Sequence, residues 1–249
     1  NERTAPLMEF GPHLMLALIE GAGTAAVLAL TASGLSLVFG VMRVVNIAHG
    51  EFFMLGAVLA WWIAEGIGGH PGWGFAAALL AAPLAVGALA VAADPERTIV
   101  APIGLLYILQ QLTLMSYGPE ARPVVAPFDA RIDLPWPERG PEGWRIGWPW
   151  GLGTTAWKLT VIGAAAVMVG ALWLFMARTR MGLVLRATQA DREMATAFGI
   201  PVSRVYALTF GLGAALAALA AVLIVPIRQA HYLMGGDPLL LSFVVVIIG

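Results

Sequence analysis

The stretch Leu14 to Val41, LMLALIEGAGTAAVLALTASGLSLVFGV, decides the fold. Glu20 is its single ionisable residue, and as a helix the run rises about 42 Å against a hydrocarbon core of about 30 Å. A helix satisfies its own backbone N–H and C=O groups, which is what lipid demands of a spanning segment, so the run reads as a membrane span.

Similar runs recur along the chain. Ile47–Ile67 carries Glu51 near its start and Trp61, Trp62 and Glu65 near its end. Trp73–Ala93 is almost pure Ala, Leu, Val and Gly, and Thr98–Tyr117 carries Gln110 and Gln111, which should face protein rather than lipid. Gly151–Ala177 begins beside Trp148, Trp150 and Trp157, residues suited to an interfacial aromatic belt. Val205–Ile227 follows, and the last run, Leu239–Gly249, rises only about 16 Å. That is too short for a span, so it either re-enters or belongs to a span that the sequence only begins.

Composition agrees. The chain is 59% hydrophobic and 12% charged, where soluble domains carry about 25% charged residues. The expected fold is an all-α, polytopic helical membrane protein forming one transmembrane domain over residues 1–249, with at least six to seven hydrophobic segments and eight or more in the complete protein. A net charge of -1 leaves no basic excess for nucleic acid. With Cys 0 there is no disulfide, thiolate metal site or cysteine nucleophile. Asn1–Phe10, with Glu2, Arg3 and Glu9, lacks the pattern of a cleaved signal, so the first run is read as a retained span.

Arginines set the expected orientation. Arg178, Arg180, Arg186, Arg192 and Arg204 crowd one loop, whereas Arg122, Arg131, Arg139 and Arg145 are diluted by acids in another. The positive-inside rule places the loop of about 178–204 in the cytoplasm and the Trp-rich loop of about 118–150 outside. Alternation then puts Arg43 inside and the N-terminus outside, unless the second segment re-enters. The external loop shows no helical periodicity.

Two polar stretches interrupt the apolar sequence. In the inner loop, Thr188 with Asp191 three residues later predicts a helix start, and Gly199 with Pro201 predicts its end. Ala190, Met194 and Ala197/Phe198 recur at helical spacing while Gln189, Arg192 and Glu193 lie on other sides, an amphipathic pattern that fits a partner's groove or simply closes a loop. The other stretch is Gly40-Val41-Met42-Arg43-Val44-Val45-Asn46-Ile47-Ala48-His49-Gly50-Glu51-Phe52. Polar groups at membrane depth are costly and mark functional sites, yet Arg43 snorkelling, Asn46 capping the next helix and Glu51 in its first turn would also explain them.

Neither stretch carries known catalytic chemistry. His49 and Glu51 do not make a His-Glu-x-x-His zinc pattern, and the only lysine, Lys158, lacks the glycines of a phosphate-binding loop. The chain therefore reads as a non-enzyme, and any ATP-driven process needs a second chain to hydrolyse the nucleotide.

Gly34-Leu35-Ser36-Leu37-Val38-Phe39-Gly40, running on through Arg43 to Phe52, and Thr179-Arg180-Met181-Gly182-Leu183-Val184-Leu185-Arg186-Ala187-Thr188, with its continuation Asp191 to Ile200, strongly resemble the permease subunits of bacterial ABC importers for branched-chain amino acids, of the high-affinity leucine/isoleucine/valine type. The resemblance implies a multi-pass protein of the bacterial cytoplasmic (inner) membrane. It implies a second homologous permease, two ATPase subunits that bind ATP and Mg, and a soluble substrate-binding protein outside. It implies a coupling role for Arg186, Thr188, Asp191, Arg192, Glu193, Met194, Phe198 and Gly199, and makes Asn46, His49, Gly50 and Glu51 candidates for the pathway or its gate. The family usually has a longer basic connection near Ala93-Asp94 and continues beyond Gly249, so residues are expected to be missing at both places. The same architecture carrying urea, amides or aromatic acids, and an ion-coupled transporter using Glu20, Glu51 and Glu65, remain alternatives.

Overall fold

A computed structural model describes residues 5–67, 71–92, 102–128, 130–140, 143–147 and 153–248. Among them lie nine helices: α1 (Ala5–Met42), α2 (His49–Ile67), α3 (Pro71–Ala92), α4 (Pro102–Tyr117), α5 (Ala156–Arg178), α6 (Arg180–Ala190), α7 (Arg192–Ala197), α8 (Val202–Ile224) and α9 (Gly236–Ile248). Five helices are long and apolar enough to cross a membrane, within α1, α2, α3, α5 and α8. The chain is a polytopic helical membrane protein. The expected fourth span is described from Pro102 onward, and the brief connection at Ala93-Asp94 lies outside the described residues, as does Gly249.

α8 forms the core, packed against α1, α2 and α3 and buried over most of its length. Small residues make this possible. A Cβ on Gly56 of α2 would sit 2.5 Å from Ala218 Cα, and one on Gly34 of α1 would sit 2.8 Å from the Gly213 carbonyl oxygen. Helices in lipid gain no hydrophobic drive from touching one another, so close backbone approach over small residues is what holds them. α5 lies at the periphery, largely exposed, touching α1 and α8.

The loop between α4 and α5 holds the β-strands found among the described residues. β1 (Arg131–Asp133) pairs antiparallel with β4 (Gly153–Thr155), and β2 (Trp136–Gly140) pairs with β3 (Gly143–Gly147). The expected fifth span from Gly151 therefore begins instead at Ala156, because residues 153–155 are bonded to β1. Two-stranded ribbons of three to five residues are too short to leave an alternating hydrophobic pattern to read.

Two sets of contacts define the ends of the bundle. Tyr117 Oη donates to the Ala230 carbonyl at 2.9 Å and Trp157 Nε1 to the Leu223 carbonyl at 3.2 Å, while Arg122 stacks over Trp61 and Tyr117. These gather the ends of α2, α4 and α8 and the start of α5. At the opposite end, Arg43 meets the loop of α6 and α7, so Arg43 and the crowded arginines share a side.

Candidate functional site

The connection between α1 and α2 does not lie across the end of the bundle. Arg43 closes α1 in the left-handed region, φ 55, its N–H bonded to the Phe39 carbonyl at 2.8 Å. Six residues later His49 hydrogen-bonds Thr31, eleven residues back along α1, or about 16 Å from its end. The chain folds back into the bundle and α2 starts at depth.

Asn46 organises the turn. Its Oδ1 accepts from the Ala48 N–H at 3.1 Å and its carbonyl from the His49 N–H at 3.2 Å, the side-chain mimicry of a backbone turn for which Asn is suited. The other three candidates, His49, Gly50 and Glu51, diverge. His49 is fully buried, and its Nε2 donates to the Thr31 carbonyl at 3.2 Å, between α1 and α8. Gly50 faces the turn before α9, where a Cβ would meet the Gly235 carbonyl oxygen at 2.5 Å. Glu51 is buried toward α4, its Oε1 accepting from Gln110 Nε2 at 2.9 Å. The four candidates thus form a node that ties α2 to three neighbours, rather than one lined channel. Asn46 Nδ2, His49 Nδ1 and Glu51 Oε2 have no partner among the described residues. Gln110, expected to face protein, does so; Gln111 is exposed.

The other acids that a gradient-driven carrier would use are placed differently. Glu20 pairs with Lys158 of α5 at 2.6 Å and is half exposed, and Glu65 is exposed at the end of α2. Among the described residues no cluster of His, Asp or Glu could hold a metal.

The loop that holds α6 and α7 differs from its expected form in one respect. Thr188 does not start the helix: it is buried in the last turns of α6, its hydroxyl donating to the Val184 carbonyl at 2.9 Å. The break falls at Asp191, whose N–H closes α6 on the Ala187 carbonyl and whose Oδ1 opens α7 by accepting from the Met194 N–H at 3.0 Å. A carboxylate in extended backbone, φ -150, is a strong N-cap, so one residue ends one helix and begins the next. Thr179 caps α6 likewise, accepting from the Gly182 N–H at 3.0 Å.

Gly199 ends α7 as expected. Its φ is 79, its N–H reaches the Thr196 carbonyl, and the Ile200 N–H reaches Ala195, the paired bonds of a Schellman stop. Ala195 packs inward and Arg192 lies over the Tyr206 ring at 5.1 Å. Arg186 spans one turn of α6 to the Gly182 carbonyl, and Glu193 is exposed in the first turn of α7. Met194 and Phe198 are 53% and 80% exposed, leaving the apolar face of the short helix uncovered.

These two regions are joined. Arg43 Nη2 donates to the Gln189 carbonyl at 3.2 Å, one of the last carbonyls of α6, which lack a partner within the helix. The Gln189 amide in turn packs on Gly40, 3.1 Å from where a Cβ would stand. A cleft of about 390 Å³ opens beside this contact between Arg43, Gln189, Glu193 and Tyr206. Arg43 carries no signal for this role in sequence, because 146 residues separate it from Gln189.

A family model described as the branched-chain amino acid transport system / permease component matches residues 17–249. The chain belongs to that permease family. The high-affinity branched-chain amino acid transport system permease protein LivH of Escherichia coli (strain K12) is 28% identical over 232 residues, covering 85% of this chain and 70% of its own. LivH of Salmonella typhimurium is 27% identical over 232 residues, with the same coverage. The corresponding protein BraD of Pseudomonas aeruginosa is 26% identical over 228 residues, covering 85% and 71%. No solved structure gives a significant match. The permease is therefore a transport subunit, of a class of importer that works with ATPase and binding-protein partners.

Proposed function

We propose that the permease imports branched-chain and other hydrophobic amino acids across the bacterial cytoplasmic membrane as one half of a pair with a second, homologous permease. Two ATPase subunits, holding ATP and Mg, drive it from inside, and a soluble binding protein supplies substrate outside. Residues 1–249 act as a single transmembrane domain, with the loop of about 118–150 external and that of about 178–204 coupling. The observation that carries the coupling role is the exposed Met194 and Phe198 face, on a loop fastened to α1 through Arg43 and Gln189.

Arg186, Thr188, Asp191 and Gly199 hold that loop in shape, and Arg192, Glu193, Met194 and Phe198 present it to the ATPase. When the ATPases close, movement of α6 and α7 pulls on Arg43, and the short connection transmits it to Asn46, His49 and Gly50 at the start of α2. Glu51, held by Gln110, is the gate residue on the α4 side. A zwitterionic substrate with an apolar side chain suits a pathway of few fixed charges, since a strong field of one sign would trap or exclude it.

Purification of the tagged permease from its own membrane tests the assembly. Recovery of an ATPase and a second permease in fixed ratio is the expected result. A permease that purifies alone and still transports on an ion gradient contradicts it.

A further inference from the structure

The connection between α8 and α9, residues 225–235, turns back into the bundle as the connection between α1 and α2 does. Gly56 of α2 packs on Ala218 of α8. From that contact Ile224 lies six residues on, about 9 Å of rise toward the end of α8, and Gly50 lies six residues back, about 9 Å the other way. Gly235 nevertheless lies against Gly50, where a Cβ on either glycine would meet the other's carbonyl oxygen. The two connections therefore enter from opposite ends of the bundle and meet inside it, backbone to backbone.

The far side of residues 225–235 is fastened. Ala230 and Arg122 exchange N–H···O bonds in both directions, each of 2.9 Å, as an isolated antiparallel bridge. The Ala230 carbonyl also accepts from Tyr117 Oη at 2.9 Å. The Arg122 guanidinium lies 4.4 Å from the centre of the Trp61 ring and 4.9 Å from that of Tyr117, and a cation is attracted by each aromatic face. From Ala230 to Gly235 the chain is tightly turned: the Leu233 N–H donates to His231 Nδ1 and the Met234 N–H to the His231 carbonyl. A displacement of Gly50 is thus passed through Gly235 to Ala230 instead of being taken up in slack chain. Because the bridge is a single residue pair with no ladder beside it, it parts without unzipping a sheet. On the other side of it, Gly118 ends α4 at φ 93, a conformation open to glycine.

We propose that the bridge between Arg122 and Ala230 is a clasp that opens in each transport cycle, releasing residues 225–235 to move with the start of α2. The inference rests on the transport reading given above and adds the residues that act at the end of the bundle away from the coupling loop. Arg122 is a positioning residue: it holds Ala230, and Ala230 holds the connection to Gly235. Arg43 and Arg122 have matching tasks, each at a bond between one of the two connections and a loop at its own end of the bundle.

A reversible cross-link tests the clasp. The chain has Cys 0, and a hydrogen-bonded antiparallel pair holds its Cα atoms about 5.5 Å apart, within the span of about 4.4–6.8 Å that a disulfide bridges. The permease carrying both Arg122→Cys and Ala230→Cys, assembled with its partners in vesicles, is assayed for ATP-driven leucine uptake after oxidation with copper phenanthroline and again after dithiothreitol. Peptide mass mapping verifies the cross-link. Relative to the wild type treated alike, uptake should fall about tenfold or more on oxidation and return on reduction. Uptake that continues with the cross-link formed, or a pair that does not oxidise, overturns the clasp. Arg122→Gln keeps the backbone pair and removes the stacked cation, so ATP hydrolysis without substrate should rise about threefold or more relative to the substrate-stimulated rate. A proportionate loss of both rates, as from a merely weakened fold, overturns the clasp, and this variant decides the matter if the reduced cysteine pair does not transport. Absence of ATP-driven uptake by the wild type instead overturns the transport reading itself.

Discussion

Arg43 is the residue at which structure and proposed coupling can be separated. It adopts a left-handed backbone, φ 55, which for a residue with a Cβ costs about 1 kcal/mol and for glycine costs almost nothing. It also supplies the bond to Gln189, and a hydrogen bond from a charged group is worth about 1.5–3 kcal/mol. Arg43→Gly removes the strain and the bond together. Thermal stability of the purified permease should hold to within a few degrees, while substrate-stimulated ATP hydrolysis falls about tenfold, read by phosphate release from reconstituted vesicles. Gly50 gives the opposite signature. Gly50→Leu drives a side chain into the Gly235 carbonyl, and a forced core insertion costs about 1–3 kcal/mol. Lower yield and a lower unfolding midpoint are expected, with an unaltered midpoint counting against the close packing of α2 on the α9 turn.

At the scale of elements, the short helix α7 is the part that the proposed coupling assigns to the ATPase. Its inward residue is Ala195, and its outward face offers Met194 and Phe198. Met194→Asp and Glu193→Arg alter only exposed positions, so the permease should reach the membrane at normal levels while ATPase co-purification and uptake drop together. Unchanged uptake and substrate-stimulated hydrolysis in both variants would remove the loop from the coupling role. The spans and this loop were readable from sequence because hydrophobic length and helical spacing survive without tertiary information: Val205–Ile227 was expected where α8, Val202–Ile224, is found. Gly199 was readable as a stop for the same local reason. Asp191 is not legible as the break, because Thr188 offers an equally good cap in sequence and only burial of its side chain in α6 decides between them. The inward fold of residues 43–48, the pairing of Glu51 with Gln110 and the Arg43 link each depend on contacts between distant segments, and no local pattern encodes those.

At the scale of the whole molecule, buried polar atoms without a partner among the described residues concentrate where α2 begins. A chain of contacts leads there from the loop of α6 and α7: Gln189 to Arg43, the turn at Asn46, then Gly50 against Gly235. That layout suits a device in which movement of the loop reaches the start of α2. Family membership, with residues 17–249 matched, makes the permease a transport component, and the account built on it is that ATP hydrolysis in partner chains drives branched-chain amino acids inward. Uptake of labelled leucine into vesicles holding the assembled transporter, its binding protein and internal or external ATP tests this directly. Accumulation that requires ATP on the side of the Arg178–Arg204 loop, persists after ion gradients are collapsed and is competed by isoleucine and valine but not by urea is the predicted result. Accumulation that ignores ATP and disappears with the ion gradient would contradict it.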